Sequence, residues 1–169
     1  MKKLLLSAFT VMCVGFAHAQ DSNFKAGIHL GIPVGDLGDA YSFNAGVDLA
    51  YMWTISDKFK IGIASGYSHY IGKTLEVIAG PIGLKINVPS FGFIPVAGSA
   101  QYSVNENLFL GADLGYAIYS GERGGEGGIY YQPKFGYQAD KFETYLGYRG
   151  ISSEGESIGS VVLGFNYKF

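Results

Sequence analysis

Cysteine is nearly missing from this chain. The one residue, Cys13, sits inside an apolar N-terminal run. A chain processed after that run carries none, which excludes disulfides and cysteine-based metal sites. Positive charge is in deficit, with 12 Lys+Arg against 14 Asp+Glu. Removing Lys2 and Lys3 with the N terminus takes the formal balance to about −4. A phosphate-backbone binder needs a basic patch, so the balance argues against nucleic acid as a partner. Past the N terminus, no apolar run approaches the roughly 20 residues with which a helix crosses a bilayer. A chain of this kind that spans a membrane must do so as a closed barrel, because lipid offers no partners for backbone polar groups. Proline is scarce at 5, whereas glycine reaches 26 and aromatics 15%.

The N terminus has the pattern of a secretory signal. Lys2 and Lys3 precede an apolar run from Leu4 to Phe16, and Ala17-His18-Ala19 supplies small residues where signal peptidase reads. Cleavage is expected before Gln20, giving a signal peptide over 1–19 and one domain over 20–169. Met12 is not the small residue that a lipoprotein signal places before its cysteine.

Alternation then predicts eight strands. The last is the clearest. Val161, Leu163, Phe165, Tyr167 and Phe169 share one face, and Ser160, Gly164, Asn166 and Lys168 the other. A terminal strand with five large apolar groups on one side fits a wall between lipid and lumen. The first strand, near 24–32, turns Ile28 and Leu30 outward and Lys25, Gly27 and His29 inward. The second, near 41–53, turns Asp48 and Asn44 inward. The third begins at Phe59, with Lys60 and Ser68 inward and Ile61, Ile63 and Tyr67 outward. The fourth, around 94–102, has Ser99 and Gln101 inward, and the fifth, from Leu108, has Asp113 inward. The sixth, around 131–137, has Gln132 and Lys134 inward. The seventh, from Phe142, has Glu143, Tyr145 and Arg149 inward. Pro133 cannot donate to a ladder, so a bulge is expected there.

Connections at 54–58, 103–107 and 138–141 are short and polar. Those at 33–40, 71–90, 120–128 and 152–157 are longer. Short inner turns and longer outer loops make this rhythm in bacterial barrels, with both termini in the periplasm. Trp53, Phe59, Tyr137, Phe142, Tyr167 and Phe169 bracket the short turns like one aromatic girdle, and Tyr67, Tyr116, Tyr131 and Tyr148 mark the other. Leu75-Val77 and Leu84-Ile86-Val88 alternate around Ala79-Gly80-Pro81. They read as a hairpin extending the third and fourth strands. Two further spanning strands are the alternative, but each half is shorter than the roughly 9–11 residues needed to cross.

These features resemble the small eight-stranded outer-membrane barrels, the OmpX type and the transmembrane domain of the OmpA type. The resemblance covers the whole of 20–169. It implies an all-β, antiparallel up-and-down transmembrane barrel in a Gram-negative outer membrane. The C-terminal strand resembles the outer-membrane assembly signal through Gly164, Tyr167 and Phe169, which implies the barrel-assembly machinery as a partner. Val162 departs from that pattern, where a polar residue is usual. No OmpA-type peptidoglycan-binding domain follows Phe169, so the resemblance does not extend to cell-wall anchoring. One barrel hosts adhesion, structural and enzymatic functions, so the resemblance does not choose among them.

The chemistry is concentrated on the inward set. Lys25, Lys60, Lys134 and Arg149 face Asp48, Asp113 and Glu143 across a barrel just wide enough for its own side chains. Charges there must pair, because an isolated buried charge is very costly. They are expected to form a salt-bridged plug, with a gated ion path as the sharper alternative. A lipid A-modifying barrel enzyme would need a nucleophile and base in contact, for which Ser68, His69 and Asp48 are the conceivable set. Lipid A deacylases of this shape keep their histidine and serine late in the chain, whereas no histidine follows His69 here. Gly155-Glu156-Ser157-Ile158-Gly159 matches G-x-S-x-G but lacks the helix that the nucleophile elbow requires. The glycine-rich 121–128 also lacks the helix of a phosphate loop and reads as a surface loop. Asp36, Asp39, Glu76, Glu122, Glu126, Glu154 and Glu156 give acidic loops. Their carboxylates suit calcium or magnesium bridging to lipopolysaccharide, without fixed ligand spacing.

The expectation is a monomeric, non-enzymatic barrel with a filled polar lumen and no cofactor. It would contact outer-membrane lipid and lipopolysaccharide and take a surface ligand through 71–90 and 120–128. A soluble lipocalin-like barrel is the alternative fold, and it would place the apolar set inside.

Overall fold

The computed structural model describes residues 24–35, 37–79, 82–121, 125–153 and 156–169. The expected signal segment 1–19 and the loop acids Asp36, Glu122 and Glu154 lie outside them. Among the described residues there are ten strands: β1 Phe24–Val34, β2 Tyr41–Ser56, β3 Phe59–Gly72, β4 Thr74–Ala79, β5 Ile82–Asn87, β6 Phe91–Ser103, β7 Leu108–Ser120, β8 Gly128–Gln138, β9 Phe142–Ser153 and β10 Glu156–Lys168. One helical turn, α1, covers Leu37–Ala40.

Eight strands close a barrel in the order β1-β10-β9-β8-β7-β6-β3-β2, and β4 and β5 pair only with each other. Every ladder is antiparallel. The seam between the first and last strands runs from Lys25↔Lys168 to Val34↔Gly159. At its end Phe169 N–H donates to Phe24 C=O at 3.0 Å, with their rings 5.7 Å apart.

Parity sorts the wall. Successive side chains on a strand point to opposite faces, and the outer face is mostly apolar, with Ser65, His69 and Thr144 among its exceptions. Leu110, Leu146 and Leu163 are 50%, 56% and 63% exposed, while inward Arg149 is 2% exposed. A lipocalin-like barrel requires the reverse, so that alternative is overturned. β4–β5 forms a hairpin outside the eight-stranded wall, as the alternation around 80–81 predicts.

Two local expectations are corrected. No bulge occurs at Pro133: Pro133 stays in register opposite Ala112 of β7. On the β9 side the ladder skips from Tyr131↔Gly150 to Lys134↔Gly147 without a shift. The missing N–H removes a rung but inserts no residue. The register shifts lie in β2 instead, between Tyr41 and Phe43 and between Thr54 and Ser56. The 152–157 loop is also shorter than expected. Ser153 pairs with Glu156, so only 154–155 separate β9 from β10. Backbone pairing continues through polar Ser152, Ser153 and Ser157.

The four tyrosines assigned to the loop-end girdle share one packing motif. Tyr67, Tyr116, Tyr131 and Tyr148 lie over Gly92, Gly127, Gly150 and Gly159, where a Cβ would collide with the ring. An aromatic ring laid over a strand glycine covers backbone that would otherwise be bare.

Candidate functional site

The lumen is the candidate site, and it has two unlike halves. Toward the loops, β3 brings Tyr70, β6 brings Phe91, Phe93 and Ala97, β7 Ala117, β8 Tyr130 and β9 Ile151, all buried and mutually packed. Tyr70 and Phe91 stack at 5.0 Å, and Phe93 meets Phe91 edge-on at 5.4 Å. Leu37 of α1 and Tyr41, Tyr119 and Ile158 pack on this cluster. Gly121 and Gly125 lie against the Tyr119 ring so closely that neither has room for a Cβ. Gly121 and Gly125 therefore serve close approach to an aromatic ring at the mouth. Lys73 ties α1 down by donating from its Nζ to Gly38 C=O at 2.6 Å and from its N–H to Ala40 C=O at 2.9 Å. A lumen polar along its whole length was expected, and this aromatic cap corrects that expectation. The signal was available: Phe91 and Phe93 share parity with Ser99 and Gln101, and Tyr130 shares parity with Gln132.

Below the cap, Arg149 is the hub. Its Nε and Nη2 donate to Gln132 Oε1 at 3.1 and 3.0 Å. Nη2 also reaches Asp48 Oδ1 at 3.2 Å. Nη1 donates to Ser68 Oγ and lies 2.8 Å from His29 Nε2. The guanidinium carbon sits 5.9 Å from the centre of the Tyr130 ring, and Tyr130 OH donates to Gln132 Oε1. Guanidinium only donates, so His29 Nε2 accepts and its ring proton sits on Nδ1. That nitrogen lies 3.0 Å from Asp48 Oδ1, off the line of a straight hydrogen bond. Tyr145 OH donates to Asp48 Oδ2 at 2.6 Å.

Toward the short turns, two ion pairs complete the filling. Lys25 Nζ bonds Glu143 Oε2 at 2.7 Å and Gln101 Oε1 at 2.6 Å. Asn166 holds the other Glu143 oxygen at 3.1 Å. Lys134 Nζ bonds Asp113 Oδ2 at 2.7 Å, and Ser99 Oγ donates to Asp113 Oδ1 at 2.6 Å. Each buried carboxylate therefore has both a cation and a neutral donor, as low-dielectric burial requires. Lys60, expected among the paired charges, makes no ion pair or hydrogen bond with the described residues. It lies at the start of β3 and is partly exposed, so water can solvate its charge.

Ser68, His69 and Asp48 do not come together. Adjacent strand residues point to opposite faces, and His69 faces out, with Tyr67 OH 3.1 Å from its Nδ1. His29 takes its place, with Nε2 3.0 Å from Ser68 Oγ. This Ser–His–Asp contact is capped by Arg149, whose Nη1 donates to the serine oxygen. Ser68 and His29 are each 2% exposed. A cavity of about 30 Å³ lies among Lys25, Asp48, Ser99, Asp113, Lys134 and Glu143. It has room for about two waters.

The assembly-signal residues divide between the faces. Tyr167 and Phe169 point out, with rings 5.0 Å apart. Gly164 points in, where a Cβ would strike the Tyr145 ring. Val162, the departure from the signal pattern, is fully buried with Phe109 and Tyr145. In the G-x-S-x-G match, Ser157 is exposed, and Ile158 and Gly159 continue β10. No helix follows the serine, and Gly155 lies outside the described residues.

A closed eight-stranded antiparallel barrel, apolar outside and packed inside, is the fold of the small outer-membrane barrels. Solved structures agree. The attachment invasion locus protein Ail of Yersinia pestis superposes with a TM-score of 0.53 at 16% identity, covering 88% of this chain and 97% of Ail. Neisserial surface protein A gives 0.50 at 18%, covering 86% and 96%. A de novo designed transmembrane β-barrel gives 0.52 at 14%, covering 89% and 98%. One of the three is a designed sequence, so the likeness speaks for architecture and not for an activity. No family model matches the chain. No curated protein matches it either.

Proposed function

We propose that this chain is an outer-membrane barrel that acts by presenting its loop end, with a lumen sealed against solutes. The observation that carries the reading is the double filling of the lumen, by rings at one end and by paired ions at the other. Phe24 and Phe169 lie at the short-turn end, which this reading places in the periplasm. Gly164, Tyr167 and Phe169 engage the assembly machinery, and the folded protein is a monomer in lipid and lipopolysaccharide. The name of the Yersinia pestis neighbour, an attachment protein, accords with a surface-contact role, carried here by the 71–90 and 120–128 segments. No cofactor enters this reading, and its chemistry is non-enzymatic.

The Ser68–His29–Asp48 contact favours a second reading, a lipid-modifying enzyme. Refolded protein in planar bilayers, together with lipid A mass spectrometry of expressing cells, tests both. The expected result is no conductance steps and unchanged lipid A. Steady current that disappears on neutralising Glu143 would establish a pore. A lipid A mass change lost in Ser68→Ala and His29→Ala would establish the enzyme.

A further inference from the structure

The buried ions of the lumen balance one for one. Lys25 pairs with Glu143, Lys134 with Asp113 and Arg149 with Asp48. The other inward lysines, Lys60 and Lys168, are partly exposed at the turn end. The balance holds only while His29 is neutral, and His29 is buried at the centre of the hub. The ionisable groups around the guanidinium are Asp48 on β2, Tyr70 on β3, Tyr130 on β8 and Tyr145 on β9, with His29 itself on β1. β10 places glycine opposite His29, at Gly164. Tyrosines ionise only at about pH 10, and an ordinary carboxylate takes its proton at about pH 4. Mild acid therefore adds charge to this hub at His29, because an imidazole in water takes its proton at about pH 6.5.

The hub has no place for that proton. All five guanidinium hydrogens of Arg149 are engaged: on Gln132 Oε1 from Nε and Nη2, on Asp48 from Nη2, and on Ser68 Oγ and His29 Nε2 from Nη1. A proton on Nε2 turns the acceptor into a donor that faces a donor, and it sets a second cation 2.8 Å from the first. Asp48 cannot answer both cations. Its Oδ2 accepts from Tyr145 OH, and its Oδ1 is already shared, 3.2 Å from Arg149 Nη2 and 3.0 Å from His29 Nδ1. An uncompensated buried charge is very costly, so the guanidinium must leave. The space open to it is the cavity on the turn side, bordered by Asp48, Asp113 and Glu143. We infer that His29 is an acid-operated latch: neutral, it seats Arg149 in the hub, and protonated, it releases the guanidinium from His29 and Ser68 toward the carboxylates around the cavity. Release also reaches the aromatic cap, because Tyr130 lies against the guanidinium and bonds Gln132. The loop end is thereby coupled to acidity.

The sequence makes the test simple, since it holds two arginines, Arg123 and Arg149, and three histidines. Full-length protein labelled with 15N in arginine and histidine is refolded into phosphatidylcholine nanodiscs. Spectra are recorded from pH 8 to pH 4, with heat-shifted gel mobility checking at each step that the barrel is still folded. His29 and Arg149 signals are assigned by their loss in His29→Gln and Arg149→Lys. The expected result is a neutral His29 ring protonated on Nδ1 at pH 8, and an Arg149 Nε–H signal well apart from that of a solvated guanidinium. As His29 takes its proton, the Arg149 signal moves at the same pH toward the solvated position. The ratio of released to seated protein should grow about tenfold per pH unit, as uptake of one proton requires. In His29→Gln, whose amide oxygen remains an acceptor, the Arg149 signal should hold through pH 5. Three outcomes overturn the inference: His29 protonates while Arg149 stays in place, Arg149 moves equally in His29→Gln, or Arg149 moves only when the barrel unfolds. Should His29→Gln not fold, the coincidence of the two transitions in the parent decides the matter alone, with histidine signals assigned from His18→Gln and His69→Gln.

Discussion

At the loop end the lumen is stopped by rings, and at the turn end by ions. Phe91 and Phe93 fill space through shape, and each loses only its own contacts when trimmed. Lys25, Lys134, Arg149 and their carboxylates fill the same cylinder through pairing, and each removal strands a partner in low dielectric. The two halves thus solve one problem, closing a narrow barrel, with opposite vulnerabilities. The aromatic half tolerates truncation in proportion to volume. The ionic half fails by pairs.

Asp48→Ala provides the largest test, because Arg149 and His29 then face no carboxylate. Urea unfolding in lipid should show a loss of about 3–5 kcal/mol, the cost of orphaning one member of a buried pair. Phe93→Ala at the other end should cost about 3 kcal/mol, by lost contact and the cavity left behind. If the aspartate variant is the milder of the two, the contrast between the halves is broken. Gly164→Ala tests the link between wall and lumen. Its methyl meets the Tyr145 ring, whose hydroxyl supports Asp48, so overpacking should cost about 1–3 kcal/mol and Tyr145→Phe should not rescue it. A double replacement, Lys25→Met with Glu143→Leu, sharpens the contrast further. Removing both charges should leave stability within about 1–4 kcal/mol of the parent and on the favourable side, whereas Lys25→Met alone destabilises. The smallest effect belongs to Lys60→Ala, expected within about 0.5 kcal/mol because its charge is already solvated.

Which side of the wall a residue takes is a property of strand parity, and parity is plain in this sequence. Val161 to Phe169, or Phe142 to Tyr148, sorts without ambiguity into apolar and mixed positions. Partner choice is not local. Arg149 meets His29, Ser68, Asp48 and Gln132 on four other strands, and nothing in the spacing of those residues names the pairing. His29 rather than His69 reaches Ser68 because of parity alone, which the sequence could have shown. The aromatic cap was hidden for another reason. Inward Phe91 and Phe93 resemble outward wall residues in kind, and only their phase against Ser99 and Gln101 reveals that they enter the lumen. The absence of a bulge at Pro133 was hidden too, since a proline in a ladder fits either an inserted residue or a missing rung.

Two prolines leave gaps in otherwise continuous ladders. Pro95 lies where the β3–β6 ladder breaks between Ser65↔Val96 and Ser68↔Phe93, and Ser65 Oγ donates to its carbonyl at 2.8 Å. Pro133 lies in the matching interruption between β8 and β9. A cylinder with rungs missing on two seams is not equally stiff around its circumference. Under tension it should part along those two lines first, so the molecule carries, in the positions of two imino acids, a map of where it will tear.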